Sequence, residues 1–245
     1  MRTVARAPRH TTWLREVLLL TLLYVGYEWV RGNAPERKAL AFANAARVQS
    51  LERHLHIDFE LSVNHALLHY LWMMDAASIY YQLTHEVIVL ALLVWLWKRH
   101  RRNYALLRST LVVLSLVSLA MYWAFPLAPP RFSEPGAVDT MLVHPVLFAG
   151  MKSVTGLVNL YAAMPSVHVA WALWCAVAIT FVTESPWRFL AWAYPVVTTA
   201  VVLGTANHYV LDVIVGVLLV LSSMYVLSVL HPHGHRSRRY HATSR

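Results

Sequence analysis

Cysteine is almost missing from this chain of 245 residues: Cys175 stands alone inside an apolar run, so no disulfide framework supports the fold. Charge is scarce as well, at 13% against 58% hydrophobic residues that include ten Trp and twelve Tyr. Such a balance excludes a soluble domain of this length and implies a polytopic membrane protein. No small-x-small cleavage site follows "VLLLTLLYVGYEWV", so the first apolar stretch reads as a retained span rather than a removed signal peptide. No internal repeat is present, and one integral membrane domain over 1–245, with a core at about 78–230, accounts for the length. No G-x-S-x-G elbow surrounds Ser166, which argues against an intramembrane serine protease. The excess of 21 Lys and Arg over 12 Asp and Glu points to anionic lipid, not nucleic acid. The tail 231–245 holds His231, His233, His235 and His241 among arginines, and reads as a basic cytoplasmic segment beside lipid head groups rather than a metal site.

What the chain does have is apolar runs. About 20 residues of helix cross a bilayer core. Runs at 13–30, 78–98, 105–126, 164–183, 187–205 and 209–230 predict an all-α, six-helix transmembrane bundle. Ala41, Ala45, Val48, Leu51 and Leu55 recur at helical spacing with Arg47, Glu52 and Arg53 between them, the pattern of an interfacial helix on the outer membrane surface. The stretch 66–78 is apolar but interrupted, and reads as interfacial or re-entrant. With the N-terminus inside, 14 Lys and Arg fall on cytoplasmic segments and 7 on outer ones, so both termini are predicted cytoplasmic.

That orientation starts the fourth and sixth spans at the outer face and brings Ser166, His168, His208 and Asp212 to one level. Arg131, in "FPLAPPRF", reaches the same face, and His85 and Glu86 lie about two turns into the second span. Ionisable groups inside spans face a bundle interior or a wet cavity far more often than lipid. His208 and Asp212 are four apart, so on a helix their side chains touch. A carboxylate beside an imidazole fixes its tautomer and leaves the other nitrogen free as nucleophile or base. His168 is placed to supply a proton, Arg131 offers a fork for phosphate oxygens, and two helix N-termini favour an anion. Jointly these residues predict phosphoryl transfer near the outer surface. Singly, each has a plainer reading: His168 as a helix–helix contact, His208–Asp212 as a lock between helices, Ser166 as an N-cap, Arg131 as a snorkelling interface residue.

"MPSVHVA" (164–170) with "NHYVLDVIVG" (207–216) resembles the type-2 phosphatidic acid phosphatase superfamily of metal-independent lipid-phosphate phosphatases and phosphotransferases, whose signature runs K-x6-R-P, P-S-G-H, then S-R-x5-H-x3-D. Pro165, Ser166 and His168 match the second motif, with Val167 at its glycine, and His208 and Asp212 match the third, with Val201 and Val202 at its Ser and Arg. Ala124 stands at the first motif's lysine, and Arg131 follows a proline instead of preceding one. "YYQLTH" (80–85), "PLAPPRF" (126–132) followed by Asp139, and "GTANHYVLD" (204–212) resemble the branch that contains fungal inositol phosphorylceramide synthase and its bacterial relatives; the resemblance covers about 80–216.

The resemblance implies His208 as the nucleophile of a phosphohistidine, Asp212 orienting it, His168 protonating the departing group, and Ser166 and Arg131 holding phosphoryl oxygens, with neither metal nor cofactor. It implies a lipid phosphate substrate among membrane lipids, and water or a small alcohol such as inositol as acceptor. Lys152 either offsets the missing lysine and arginine or is a solvated loop residue. His85, Glu86 and Asp139 either shape the substrate pocket or are structural. A haem-binding membrane protein, with His85, His168 and His208 as axial ligands, is the reading from another class. It leaves the Pro-Ser-x-His motif, Arg131 and Asp212 unexplained.

Overall fold

A bilayer offers the backbone no hydrogen-bond partners, so apolar runs rich in Leu, Val and Ala satisfy their own amides as helices. The computed structural model describes residues 13–33, 37–140 and 159–230 and is almost entirely helical; among the described residues no strand forms, and a bridge between extended segments pairs Leu127 with Ala162. In chain order the elements are α1 (Trp13–Gly32), α2 (Lys38–Leu55), α3 (Glu60–Leu68), α4 (Leu71–Arg99), α5 (Arg101–Ala124), α6 (Pro130–Ser133) and α7 (Val167–Val182). A 3-10 helix (Pro186–Trp192) then runs into α8 (Ala193–Gly204), and α9 (Val210–Leu230) completes the bundle. Among the described residues, four segments, 71–99, 101–124, 186–204 and 210–229, are long and apolar enough to cross a membrane. α7 is short, 16 residues or about 24 Å, and α1 carries Arg15, Glu16, Glu28 and Arg31. Lys152 and the histidine-bearing tail lie outside the described residues.

Polar rungs set how the helices lie against one another. Along α5 and α7, Trp174 Nε1–H donates to the Leu107 carbonyl (3.1 Å), Trp171 Nε1–H to Ser115 Oγ (3.1 Å) and Tyr122 OH to the Pro165 carbonyl (3.0 Å), so the two helices are antiparallel. Along α1 and α5, Glu16 accepts from Tyr104 OH (2.9 Å) and Arg108 Nη1 (2.7 Å), while Trp123 Nε1–H donates to the Val30 carbonyl (3.4 Å), so these two run parallel. Hydrogen bonds between helices in a membrane average about 0.6 kcal/mol each, so their main contribution here is register. Large side chains such as Trp187, Leu190, Leu218 and Tyr225 point outward, as a lipid solvent allows.

Two expectations change. The stretch 66–78 is not one segment of its own: α3 ends at Leu68, the chain turns at His69–Tyr70, and 71–78 forms the first turns of α4. Burial of Met74, Ala77 and Ser78 extends that helix to 29 residues, about 43 Å. The stripe on α2 also divides. Ala41, Ala45 and Val48 turn inward onto Leu127, Ala128, Ala163 and Tyr209, whereas Leu51 and Leu55 are exposed. Small side chains let the backbones meet, and the Ala128 N–H donates to the Ala41 carbonyl at 3.2 Å. Asn44 Nδ2 adds a bond to the Pro126 carbonyl (2.9 Å). α2 therefore clamps the loop that carries Arg131.

Candidate active site

The site lies where α7 and α9 begin. His208 precedes α9, which starts at Val210, so the His208–Asp212 contact does not come from helical i, i+4 spacing as expected. It comes from capping: Asp212 Oδ2 accepts the Tyr209 N–H (2.9 Å), and that turn sets His208 Nδ1 at 3.3 Å from the same oxygen. His208 Nδ1 is closer to the Ala163 carbonyl, at 2.8 Å. A carbonyl only accepts, so Nδ1 carries the proton and the neutral ring keeps its lone pair on Nε2. His208 is buried, and Nε2, Asp212 Oδ1 and Ser166 Oγ are all buried without a hydrogen-bond partner among the described residues.

His168 occupies the second position of α7, with its ring stacked on Tyr81 (centroids 4.2 Å), edge-on to His85 (4.3 Å) and 5.8 Å from the His208 ring. Ser166 takes the N-cap position, but its hydroxyl caps no amide; its own N–H donates to the Asp212 carbonyl at 3.0 Å. α9 approaches the Ser166 segment closely enough that a Cβ on Gly216 would sit 2.8 Å from the Ser166 carbonyl oxygen. Gly216→Ala is thus expected to displace Ser166 and cost about 10²-fold in kcat with the helical content unchanged, readable by turnover alongside circular dichroism.

Of the other predicted residues, Arg131 is pinned to the His208 segment by its backbone, its N–H donating to the Ala206 carbonyl (2.9 Å). The guanidinium faces Asp139 (Nε to Oδ2 3.3 Å) and lies over Phe132 (4.6 Å). Ala206 holds φ at +52°, a left-handed conformation that side-chain-bearing residues adopt at a cost and that recurs at functional sites. His85 joins the histidine cluster, whereas Glu86 is half-exposed and accepts from Tyr24 OH of α1 (3.0 Å).

The two helix N-termini differ: among the described residues no side chain caps that of α7. The α9 terminus is occupied by carboxyls, with Tyr209 N–H on Asp212 and Leu211 N–H on Glu52 Oε1 (2.7 Å). Nothing in the pattern of α2 marked Glu52 for this role, beyond an acid amid small apolar residues. Glu52 lies against Glu60 of α3, both are buried, and their Oε2 atoms lack a donor as ionised groups, so a proton shared between them satisfies both. Burial, and next the bond to Glu60, raises Glu52 from 4.5 to about 9. The folded state then binds more protons than the unfolded one between those values, and stability falls as pH rises through that window. Unfolding temperature in detergent is expected to drop from pH 6 to pH 9, and Glu52→Gln, which keeps the acceptor for Leu211, is expected to flatten the drop.

Comparison with known proteins follows the same residues. The model of the PAP2 superfamily matches residues 46–226. The phosphoinositol dihydroceramide synthase of Bacteroides thetaiotaomicron is 27% identical over 158 residues, which cover 58% of this chain and 51% of the relative, so the chain spans about half the length of that protein. No solved structure matches. A match running from α2 into α9, with His85, His168, His208 and Asp212 all inside it, shows that this chain belongs to the PAP2 superfamily.

Proposed function

We propose that the protein is a membrane enzyme that moves the phosphoryl or phospho-head group of a lipid phosphate, through a phosphohistidine at His208, to an alcohol or to water. One observation carries this reading: His208 keeps an unpartnered, buried Nε2 lone pair, with its Nδ1 proton held by Ala163 and Asp212, and its ring lies 5.8 Å from that of His168. In the first step Nε2 attacks phosphorus, the bond from phosphorus to the lipid oxygen breaks, and His168 gives its proton to the departing alkoxide. In the second, His168 takes a proton from the acceptor hydroxyl, whose oxygen displaces Nε2. Ser166 Oγ–H and the N-terminus of α7, which no side chain caps, stabilise the phosphoryl oxygens as charge builds. Arg131 stands at the edge of this arrangement through Asp139, and the outward orientation of the site follows from the charge bias of the loops.

The name of the Bacteroides relative favours an alcohol acceptor and a phosphoinositol-bearing product for this chain also. The haem reading has no geometric support: the His85 and His168 rings meet edge to face at 4.3 Å, leaving no slot for a macrocycle between them. The deciding experiment incubates the purified full chain in detergent and EDTA with a panel of phospholipids and polyprenyl phosphates, with and without inositol and other alcohols, following free phosphate and new lipid products. Alcohol-dependent phosphorylated product establishes transfer, and phosphate release alone establishes hydrolysis. An absence of both across the panel, with folded protein, overturns the proposal.

A further inference from the structure

Arg31 sits at the outgoing end of α1, beyond the 46–226 family match, where the sequence marks it only as a basic residue flanking an apolar run. Two registers fix its height. Glu16 lies opposite Tyr104 and Arg108, and Val30 opposite Trp123, so Arg31 stands level with Ala124 on the parallel α5. On antiparallel α7, Ser115 lies opposite Trp171 and Tyr122 opposite Pro165, so the same level falls at about Ala163, whose carbonyl accepts from His208 Nδ1. Azimuth agrees with height. Tyr24, Tyr27 and Arg31 share one face of α1 at i, i+3 and i+7. Tyr24 OH bonds Glu86 at 3.0 Å, and the Tyr27 ring is 6.4 Å from Trp171, itself 5.9 Å from His85. The side chain of Arg31 is 26% exposed, and its charge acts on His85, His168 and Tyr81.

The phosphoryl site needs a cation here. Asp212 is buried beside His208, and the Arg131 guanidinium faces Asp139. Ala124, where the motif resembled by this sequence has lysine, is uncharged. Arg31 pairs with Glu28 at 3.2 Å, an i, i+3 contact with the carboxylate 35% exposed, which is a pair weak enough to exchange for a phosphate. Beneath it, between α1 and α4–α5, a cleft of about 640 Å³ is lined by Tyr27, Leu93, Val94, Trp97 and Trp171, apolar walls of the kind a hydrocarbon chain fills. We infer that Arg31 binds the substrate phosphate as a second guanidinium, delivered by α1 rather than by the motif helices, with the chain of the same lipid running down the cleft. This rests on the phosphoryl-transfer reading above.

The test measures binding of inorganic phosphate, and binding and turnover of long-chain phosphatidic acid, by the full chain in detergent as wild type, Arg31→Gln, Arg31→Lys, Glu28→Gln and Arg37→Gln. Arg31→Gln is expected to weaken both ligands at least tenfold, and Arg31→Lys less. Glu28→Gln frees the guanidinium and is expected to tighten both, a gain that misfolding cannot imitate. Arg37→Gln, at the same end of the bundle but bonded to the Trp123 carbonyl, is expected to change neither. Loss confined to the lipid would assign Arg31 to the membrane-embedded substrate alone and overturn its contact with the phosphate. Unchanged affinity in both Arg31→Gln and Glu28→Gln, with wild type binding, overturns this inference and leaves the proposed function standing. A wild type that binds neither ligand and turns over none of the lipid panel removes both.

Discussion

His208→Ala is expected to lower turnover of any lipid phosphate substrate by at least about 10³-fold, because removing the attacking atom leaves only binding and electrostatics to act on the uncatalysed reaction. The rest of the site is expected to survive the change. Asp212 keeps the Tyr209 N–H and Glu52 keeps the Leu211 N–H, so α9 stays capped without the imidazole. The loss should therefore appear in kcat, with substrate affinity and unfolding temperature close to wild type. Rapid quenching at alkaline pH, where a phosphohistidine survives, is expected to trap one labelled phosphoryl group per wild-type chain and none in the variant. Normal turnover by His208→Ala would sink the nucleophile assignment.

His168→Ala is expected to show a different signature, since a proton donor matters in proportion to how badly the leaving group needs its proton. General acid–base catalysis contributes about 10²–10⁴-fold, and with an alkyl lipid substrate the first step should fall by that amount. With a nitrophenyl ester, whose leaving oxygen departs unprotonated, that loss should shrink below about tenfold. The second step still needs a base to draw the proton from the acceptor hydroxyl, so phosphoenzyme should form in a burst and then persist. A burst of nitrophenol equal to the enzyme concentration, followed by a slow steady state, is the expected record. The ring also stacks on Tyr81 and meets His85, so His168→Asn, which retains polarity and some volume, guards against a packing collapse. An equal loss for both esters would make His168 a structural residue.

The sequence exposed these two histidines and Asp212 because a polar residue in an apolar run is costly, and cost makes it visible. The helical fold was legible for the same reason: runs at 13–30 and 209–230 became α1 and α9 to within two residues, and the run at 105–126 became α5, which begins four residues earlier. What stayed hidden has no such mark. The strongest partner of His208 is the Ala163 carbonyl, a backbone atom that every residue type carries. Gly216 looked like one more small residue in a helix until Ser166 was found against it. Glu52 and Arg31 read as surface charges, because which face of α1 or α2 turns inward depends on packing by segments far away in the chain. The same packing drew Met74 inward and lengthened α4 past its apolar run.

The unequal lengths of α4 and α7 bear on what the protein does to the membrane around it. A helix of about 43 Å beside one of about 24 Å cannot both match a hydrocarbon layer of about 30 Å. The longer helix must tilt or reach past the hydrocarbon, and the shorter ends within it; on the proposed function, the short end is the one that carries Ser166 and His168. Lipids bordering that end are then expected to thin, so that a head group slides down to the site instead of the site reaching up to it. A phosphate descending this way is expected to shed hydration before it reaches His208, which would disadvantage bulk water against any alcohol that enters already attached to a lipid. On this view selectivity between transfer and hydrolysis is governed by local bilayer thickness, and it should vary with the acyl-chain length of the host membrane.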